Sequence, residues 1–362
     1  PVGPASSRSP VGPASSRSNV APNLAAPTTI APTTARLQSR VSTAPTIPAP
    51  AALPARLALA LADIKLSHSV FALPFALLAA FAARPESMPW SRFALVLVPV
   101  LCCMVLARTW AMLVNRLVDR NLDADNPRTQ RRAFAAGSLS PAFGWSLALA
   151  CAAGFLVACA GFWLLLANPW PLYLGIPVLA WIALYSVTKR FTWACHLILG
   201  TALAASPLAA AIAVDPRTLG LASQADALAP IAPGVTTFLL CLAAMVTLWV
   251  AGFDIIYALQ DVDVDQRLGL FSIPSRLGVA AALWISRALH AAAAALLLLA
   301  WRSDARFGLL FAVAVAIAAA LLVGEHLVLA KRGKAGLSAA FFTFNGIVSL
   351  VVGALGIADL TL

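Results

Sequence analysis

The sequence predicts an all-α integral membrane protein, a bundle of nine transmembrane helices with a polar active-site funnel on its cytoplasmic side. Three observations carry this. Of the 362 residues, 61% are hydrophobic and only 11% charged, with a mean hydropathy of +0.88, more apolar surface than a soluble domain of this length can bury. Apolar stretches long enough to cross a hydrocarbon core of about 30 Å recur from residue 66 to the end. These stretches lack the short alternation of membrane-barrel strands, so helices are the spanning element.

Taken in order, residues 1–62 are a different material. The nonapeptide PVGPASSRS occurs in tandem at 1–9 and 10–18, followed by more Pro, Ala, Thr and Ser. Such a segment cannot bury enough apolar surface to offset its ordering entropy, so a disordered tail is expected. The lack of acids before Asp63 faintly resembles a transit peptide, but the prolines oppose an amphipathic helix, and no secretory signal is read. The membrane domain, 63–362, carries spans at 66–84, 93–114, 143–167, 171–188, 194–214, 235–258, 279–300, 307–330 and 339–361.

The lysines and arginines orient these spans. Loops after the second, fourth, sixth and eighth carry Arg116, Arg120, Arg128, Arg131, Arg132, Lys189, Arg190, Arg267, Arg276, Lys331, Arg332 and Lys334. The opposite loops carry only Arg84, Arg92, Arg217, Arg302 and Arg306. The positive-inside bias therefore places the N-terminus and the richer loops in the cytoplasm, across the inner (plasma) membrane. The net charge of +11 reads as topology and contact with anionic lipid, not nucleic acid. Trp90, Trp145, Trp170, Trp193 and Trp301 lie near span ends and suit interfacial anchoring. The six cysteines fall within or beside apolar runs without a CxxC pair and are read as packing residues. His68 and His196 lie near cytoplasmic span ends, while His290 and His326 read as packed or lipid-interface residues.

The acids are clustered. Of fourteen in the chain, seven fall in two windows: Asp119, Asp123 and Asp125, then Asp254, Asp261, Asp263 and Asp265. Asn115, Asp119 and Asp123 share one helical face at i, i+4 and i+8. Asp254, Tyr257, Asp261 and Asp265, spaced 3, 4 and 4, make a second stripe. Asp125 and Asp263 fall off these stripes and read as solvated. Ordinary cytoplasmic loops explain scattered arginines, but acids at a membrane mouth are costly and point to function. Like charges in such clusters repel unless a cation or protons offset them. Two facing stripes of oxygen ligands suit Mg²⁺, which binds through carboxylates together with substrate phosphates. Arg128, Arg131, Arg132, Lys189 and Arg190 lie beside them and supply phosphate-binding cations. Together these imply an isoprenoid diphosphate, its head in the polar funnel and its tail between helices.

At this point the chain resembles the UbiA superfamily of intramembrane prenyltransferases, over residues 60–361. The resemblance rests on NRLVDRNLD (115–123) and DIIYALQDVDVD (254–265), with IKLSHSVFALPFAL (64–77), YSVTKRFT (185–192), GLFSIPSRLG (269–278) and FFTFNGIVS (341–349). It implies that Asn115, Asp119 and Asp123 hold one Mg²⁺ and that Asp261 and Asp265 hold another. Asp254 and Tyr257 would line the cavity, with Lys189, Arg128 and Arg132 contacting the diphosphate. The implied reaction is transfer of a polyprenyl chain from its diphosphate to an aromatic acceptor of the 4-hydroxybenzoate type. One departure stands out: 4-hydroxybenzoate enzymes of the ubiquinone pathway commonly read Asn-Asp where this chain has Asn115-Arg116. With NPRT (126–129), it brings the chain closer to the subgroup serving menaquinone by the futalosine route. Competing readings are the same chemistry on haem, homogentisate or a phospholipid glycerol, and a transporter. A transporter predicts acids near the midplane and an internal repeat, whereas here the acids gather at one face.

Overall fold

Proline, serine and glycine punctuation decides where most of these helices begin and end. The computed structural model describes residues 52–64, 71–222, 230–337 and 339–362. Its helices are α1 (Leu53–Asp63), α2 (Leu73–Ala82), α3 (Trp90–Val118), α4 (Arg120–Ala124), α5 (Pro141–Leu166) and α6 (Trp170–Thr188). There follow α7 (Cys195–Val214), α8 (Val235–Ala258), α9 (Val262–Arg267), α10 (Ile273–Ser303), α11 (Leu309–Arg332) and α12 (Asn345–Thr361). No strand occurs among the described residues. Ser140 caps α5, its Oγ accepting the Phe143 N–H at 3.3 Å ahead of Pro141. Ser272 and Ser275 form a reciprocal capping box at the start of α10. Gly278, at φ 81°, breaks α10 early, a conformation that costs glycine little.

Among the described residues, eight helices are long and apolar enough to cross a membrane, and they fall on the second to ninth expected spans. Of the first expected span, 66–84, residues 66–70 lie outside the described residues. Its described part holds only α2, which Pro74 starts in its first turn. Ten residues rise about 15 Å, half of a hydrocarbon core. The tail boundary at residue 62 also shifts, because α1 is helical from Leu53 and its Ala60 is buried. The tandem repeat and His68 lie outside the described residues.

The most buried helix is α8, packed between α7 and α10, with Trp249, Phe238, Leu239 and Leu242 enclosed. Gly200 lets α7 lie directly on the Thr247 carbonyl of α8, where any Cβ would clash. To one side, α3 packs on α5 and α6; to the other, α12 packs on α11 and α2. Cys151, Cys159 and Cys241 are packed as expected, but Cys102 is exposed on the outer face of α3. The ends of α3, α6 and α8 and the starts of α7 and α10 converge around one polar cavity.

Candidate active site

Each acid stripe is broken at its central aspartate. Asp119 ends α3 and precedes α4, at φ −90° and ψ 3°. Asp261 precedes α9 in a similar conformation, at φ −112° and ψ 7°. Neither side chain caps the short helix that follows. Both carboxylates are instead turned to partners elsewhere, while backbone hydrogen bonds from Asp123 to Asp119 and from Asp265 to Asp261, each 2.7 Å, preserve the one-turn spacing.

In the first stripe Asp119 is 2% exposed and lies between three donors. Lys189 Nζ stands 2.6 Å from Oδ2 and Arg190 Nη2 3.2 Å from Oδ1, and Asn115 Nδ2 donates to Oδ2 at 3.2 Å. Asp123 accepts both its hydrogen bonds from Arg132 Nη1, at 2.8 Å each. Asn115 is held from behind: Arg116 Nη1 donates to its Oδ1 at 2.9 Å. Arg116 itself is buried and leans on Asp63 of α1, donating to the carbonyl oxygen at 3.4 Å with the carboxylate 4.0 Å away. The residue that departs from the family pattern thus orients the amide at the head of the stripe.

The second stripe draws on the first stripe's loop. Arg128 grips Asp261 through Nε at 2.9 Å and Nη2 at 2.5 Å, and donates to the Tyr257 hydroxyl at 3.0 Å. Burial alone would lower the Arg128 pKa, but the bond to Asp261 outweighs it and leaves the guanidinium raised. Asn126 Nδ2 adds a bond to Asp261 at 2.9 Å. Asp265 has no ion-pair partner among the described residues; the Ser272 hydroxyl donates to it at 2.7 Å. Burial pushes its carboxyl above the usual carboxylate range, against the pull of that hydrogen bond. Asp254 meets His196 Nδ1 at 2.7 Å. Because the Ile273 N–H donates to His196 Nε2 at 3.2 Å, Nδ1 carries the hydrogen and points it at Asp254.

Ten of the eleven candidate residues line one cavity of about 310 Å³: Asn115, Asp119, Asp123, Arg128, Arg132, Lys189, Asp254, Tyr257, Asp261 and Asp265. Arg190 stands behind it, tied to the Val118 carbonyl at 2.8 Å. His196, Asn126, Ser272 and Arg108 also belong to the lining or its support, and the sequence reading had not singled them out as a site. A lone arginine within an apolar span was the available signal for Arg108. An apolar cavity of about 390 Å³ runs between α3, α5, α6 and α7. It shares Arg108, Met112, Tyr185, Leu199 and Leu203 with the polar one. At this junction Arg108 Nε is buried without a hydrogen-bond partner among the described residues.

The donors fit Mg²⁺. They are hard oxygens, and Asp265 has a hydroxyl donor but no ion-pair partner among the described residues. Among the described residues no three Asp, Glu, His or Cys side chains converge as in a protein-only cage. Asp119 and Asp123 on one side, and Asp261 and Asp265 on the other, are the ligands such an ion would take together with phosphate oxygens.

Known proteins resemble this chain in sequence and fold. The 4-hydroxybenzoate octaprenyltransferase of Stutzerimonas stutzeri (strain A1501) is 31% identical over 177 residues, 49% of this chain and 52% of that protein. That of Pseudomonas aeruginosa (strain UCBPP-PA14) is 30% identical over 221 residues, 61% of this chain and 67% of its own. The chain thus spans about half the length of several curated relatives it matches. The apo structure of a UbiA homolog from Aeropyrum pernix K1 superimposes with a TM-score of 0.69 at 30% identity, over 81% of this chain and 98% of that one. A UbiA homolog from Archaeoglobus fulgidus bound to GPP and Mg²⁺ shares the fold, with a TM-score of 0.56 at 18% identity over 84% and 100%. The model of the UbiA prenyltransferase family matches residues 72–347, most of the membrane portion, and the chain belongs to that family.

Proposed function

We propose that the chain transfers a polyprenyl group from its diphosphate to an aromatic acid of the 4-hydroxybenzoate type, with Mg²⁺, in ubiquinone or menaquinone synthesis. The observation that carries this reading is the joining of two unlike cavities. A chamber of carboxylates and cations opens onto an apolar channel at Arg108. That shape matches an amphiphile with a dianionic or trianionic head and a hydrocarbon tail. The relatives' names and the GPP and Mg²⁺ in the Archaeoglobus fulgidus structure support the substrate class.

Lys189, Arg128 and Arg132 would exchange their carboxylate partners for phosphate oxygens and orient the head group. A bound Mg²⁺ would supply Lewis-acid stabilisation of the departing diphosphate. The allylic C–O bond breaks with its electrons leaving on the diphosphate, a ring carbon bonds the allylic carbon, and the ring proton passes to a carboxylate of the cavity. Tyr257 and Phe341, tilted against each other with ring centroids 4.3 Å apart, wall that region against water, which would otherwise capture the cation. Arg108 is the residue for the acceptor's carboxylate, because its buried Nε has no hydrogen-bond partner and its guanidinium no acid among the described residues. The chain would lie in the plasma membrane, and the charge bias of the loops supports a cytoplasmic position for the polar cavity.

The test is a reconstituted assay in lipid. Polyprenyl diphosphate plus 4-hydroxybenzoate should give diphosphate and a prenylated acid by mass spectrometry, with turnover lost in EDTA and restored by Mg²⁺. Turnover that persists in EDTA sinks the metal assignment. Arg108→Leu should raise the KM for the aromatic acid by roughly ten- to a hundredfold, as expected for one lost charge-assisted contact, and leave the KM for the diphosphate unchanged. A panel including homogentisate tests the acceptor itself.

A further inference from the structure

The most enclosed acid in the bundle lies outside both cavities. Glu325 of α11 is 0% exposed and sits within a membrane span. Its Oε1 accepts from Asn345 Nδ2 at 3.2 Å. Its Oε2 is buried and has no hydrogen-bond partner among the described residues. Beside it is His290 of α10, whose Nδ1 is 3.8 Å from Oε2, beyond hydrogen-bonding range.

The protons in this cluster can be assigned from acceptor chemistry. The Trp249 carbonyl accepts only, so His290 Nε2, 3.2 Å away, must carry a hydrogen. The single lone pair on Nδ1 is then filled by His326 Nε2–H at 3.1 Å. That leaves His326 Nδ1 bare, in keeping with its lack of a partner. Both imidazoles are accounted for as neutral rings. The groups next to Glu325 are His290 from α10 and Asn345 from α12, and these are in turn held by His326 on its own helix and Trp249 from α8. Arg287 of α10 acts on the cluster through His326. None of them pairs directly with Glu325 as a full cation. An ionised Glu325 would be a lone charge in a low-dielectric interior held by one amide N–H, which costs far more than a carboxyl hydroxyl lacking an acceptor. Moving the proton to His290 does not help, because the resulting ion pair would be separated without a direct hydrogen bond.

We propose that Glu325 is an intramembrane proton-binding site, its Oε2 carrying a proton at neutral pH. The neutral carboxyl joins α11 to Asn345, whose Oδ1 accepts from Trp249 Nε1 at 2.6 Å and whose Nδ2 also reaches the Phe341 carbonyl at 3.3 Å. Phe341 in turn lies against Tyr257. Glu325 is thus a positioning residue for the aromatic wall of the cavity, and this assignment holds whatever the substrate is.

The chain contains only two glutamates, Glu86 and Glu325, and Glu86 is exposed. Full-length protein labelled with ¹³C at the glutamate side-chain carboxyl, in lipid at pH 7, should therefore show one ionised and one protonated carboxyl by infrared spectroscopy or solid-state NMR. Glu86→Gln should remove only the ionised signal. Two ionised glutamates at pH 7 overturn the proposal, and no folding-sensitive variant is needed to see that. Glu325→Gln, which mimics the neutral acid, should melt with the parent, whereas Glu325→Ala should melt lower. A Gln variant as unstable as the Ala variant would mean that the charge is required, and would also overturn it.

Discussion

In the first acid stripe Asp119 and Asp123 are each closed by full cations of the chain, Lys189, Arg190 and Arg132, whereas in the second Asp254 and Asp265 meet an imidazole and a hydroxyl. Only Asp261 is gripped by an arginine, and Arg128 comes from the loop that follows the first stripe. One half of the cavity is therefore balanced from within. The other half is not: Asp254 and Asp265 have no lysine or arginine partner among the described residues, and burial raises the Asp265 carboxyl. Similar sequence spacing has given two sites of different electrostatic completeness.

The largest expected effect tests whether both halves are needed. Asp119→Ala and Asp261→Ala should each cut diphosphate release by about 10³-fold, the scale of losing transition-state charge stabilisation, with helical content unchanged by circular dichroism. An active Asp119 variant beside a dead Asp261 variant would show that the self-balanced stripe only scaffolds. A smaller effect separates the stripes by stability. Arg132→Ala strands the buried Asp123 carboxylate and should cost about 2 kcal/mol in unfolding, less than for a fully enclosed pair because the guanidinium is partly solvated. Asp265→Asn should show no such loss in the same thermal melts, since it removes a charge that the fold leaves uncompensated.

The smallest effect concerns Asp63, which lies behind the first stripe and whose carboxyl burial raises above its ordinary value. A raised carboxyl favours folding most at pH values below its unfolded pKa, and that contribution is lost as pH rises through the folded value. The melting temperature of the parent relative to Asp63→Asn should therefore be higher in acid and fall towards neutral pH. A difference between them that does not vary with pH would place Asp63 in ordinary solvent.

The stripes were legible because four-residue spacing is a backbone property, and their arginines because they lie close in sequence. Partners that arrive from other helices were not legible. His196 is 58 residues from Asp254 and reaches it only because α7 packs on α8. Ser272 looked like a helix cap, which it is, yet its hydroxyl also serves Asp265. The breaks at Asp119 and Asp261 were hidden too, since i, i+4 spacing reads the same through a kink. Of the first expected span, the described part is α2, a ten-residue helix with Pro74 in its first turn, a start that apolar composition alone does not record.

The clasp between Asp63, Arg116 and Asn115 has a practical consequence for anyone shortening this chain. Composition marks the amino-terminal region as dispensable, yet α1 belongs to the folded unit and its last residue steadies Arg116. A deletion that stops before Leu53 spares that support. One that passes Asp63 should free the arginine and unsettle the amide it holds, so that trimming what looks like a leader would register as damage to the chemistry.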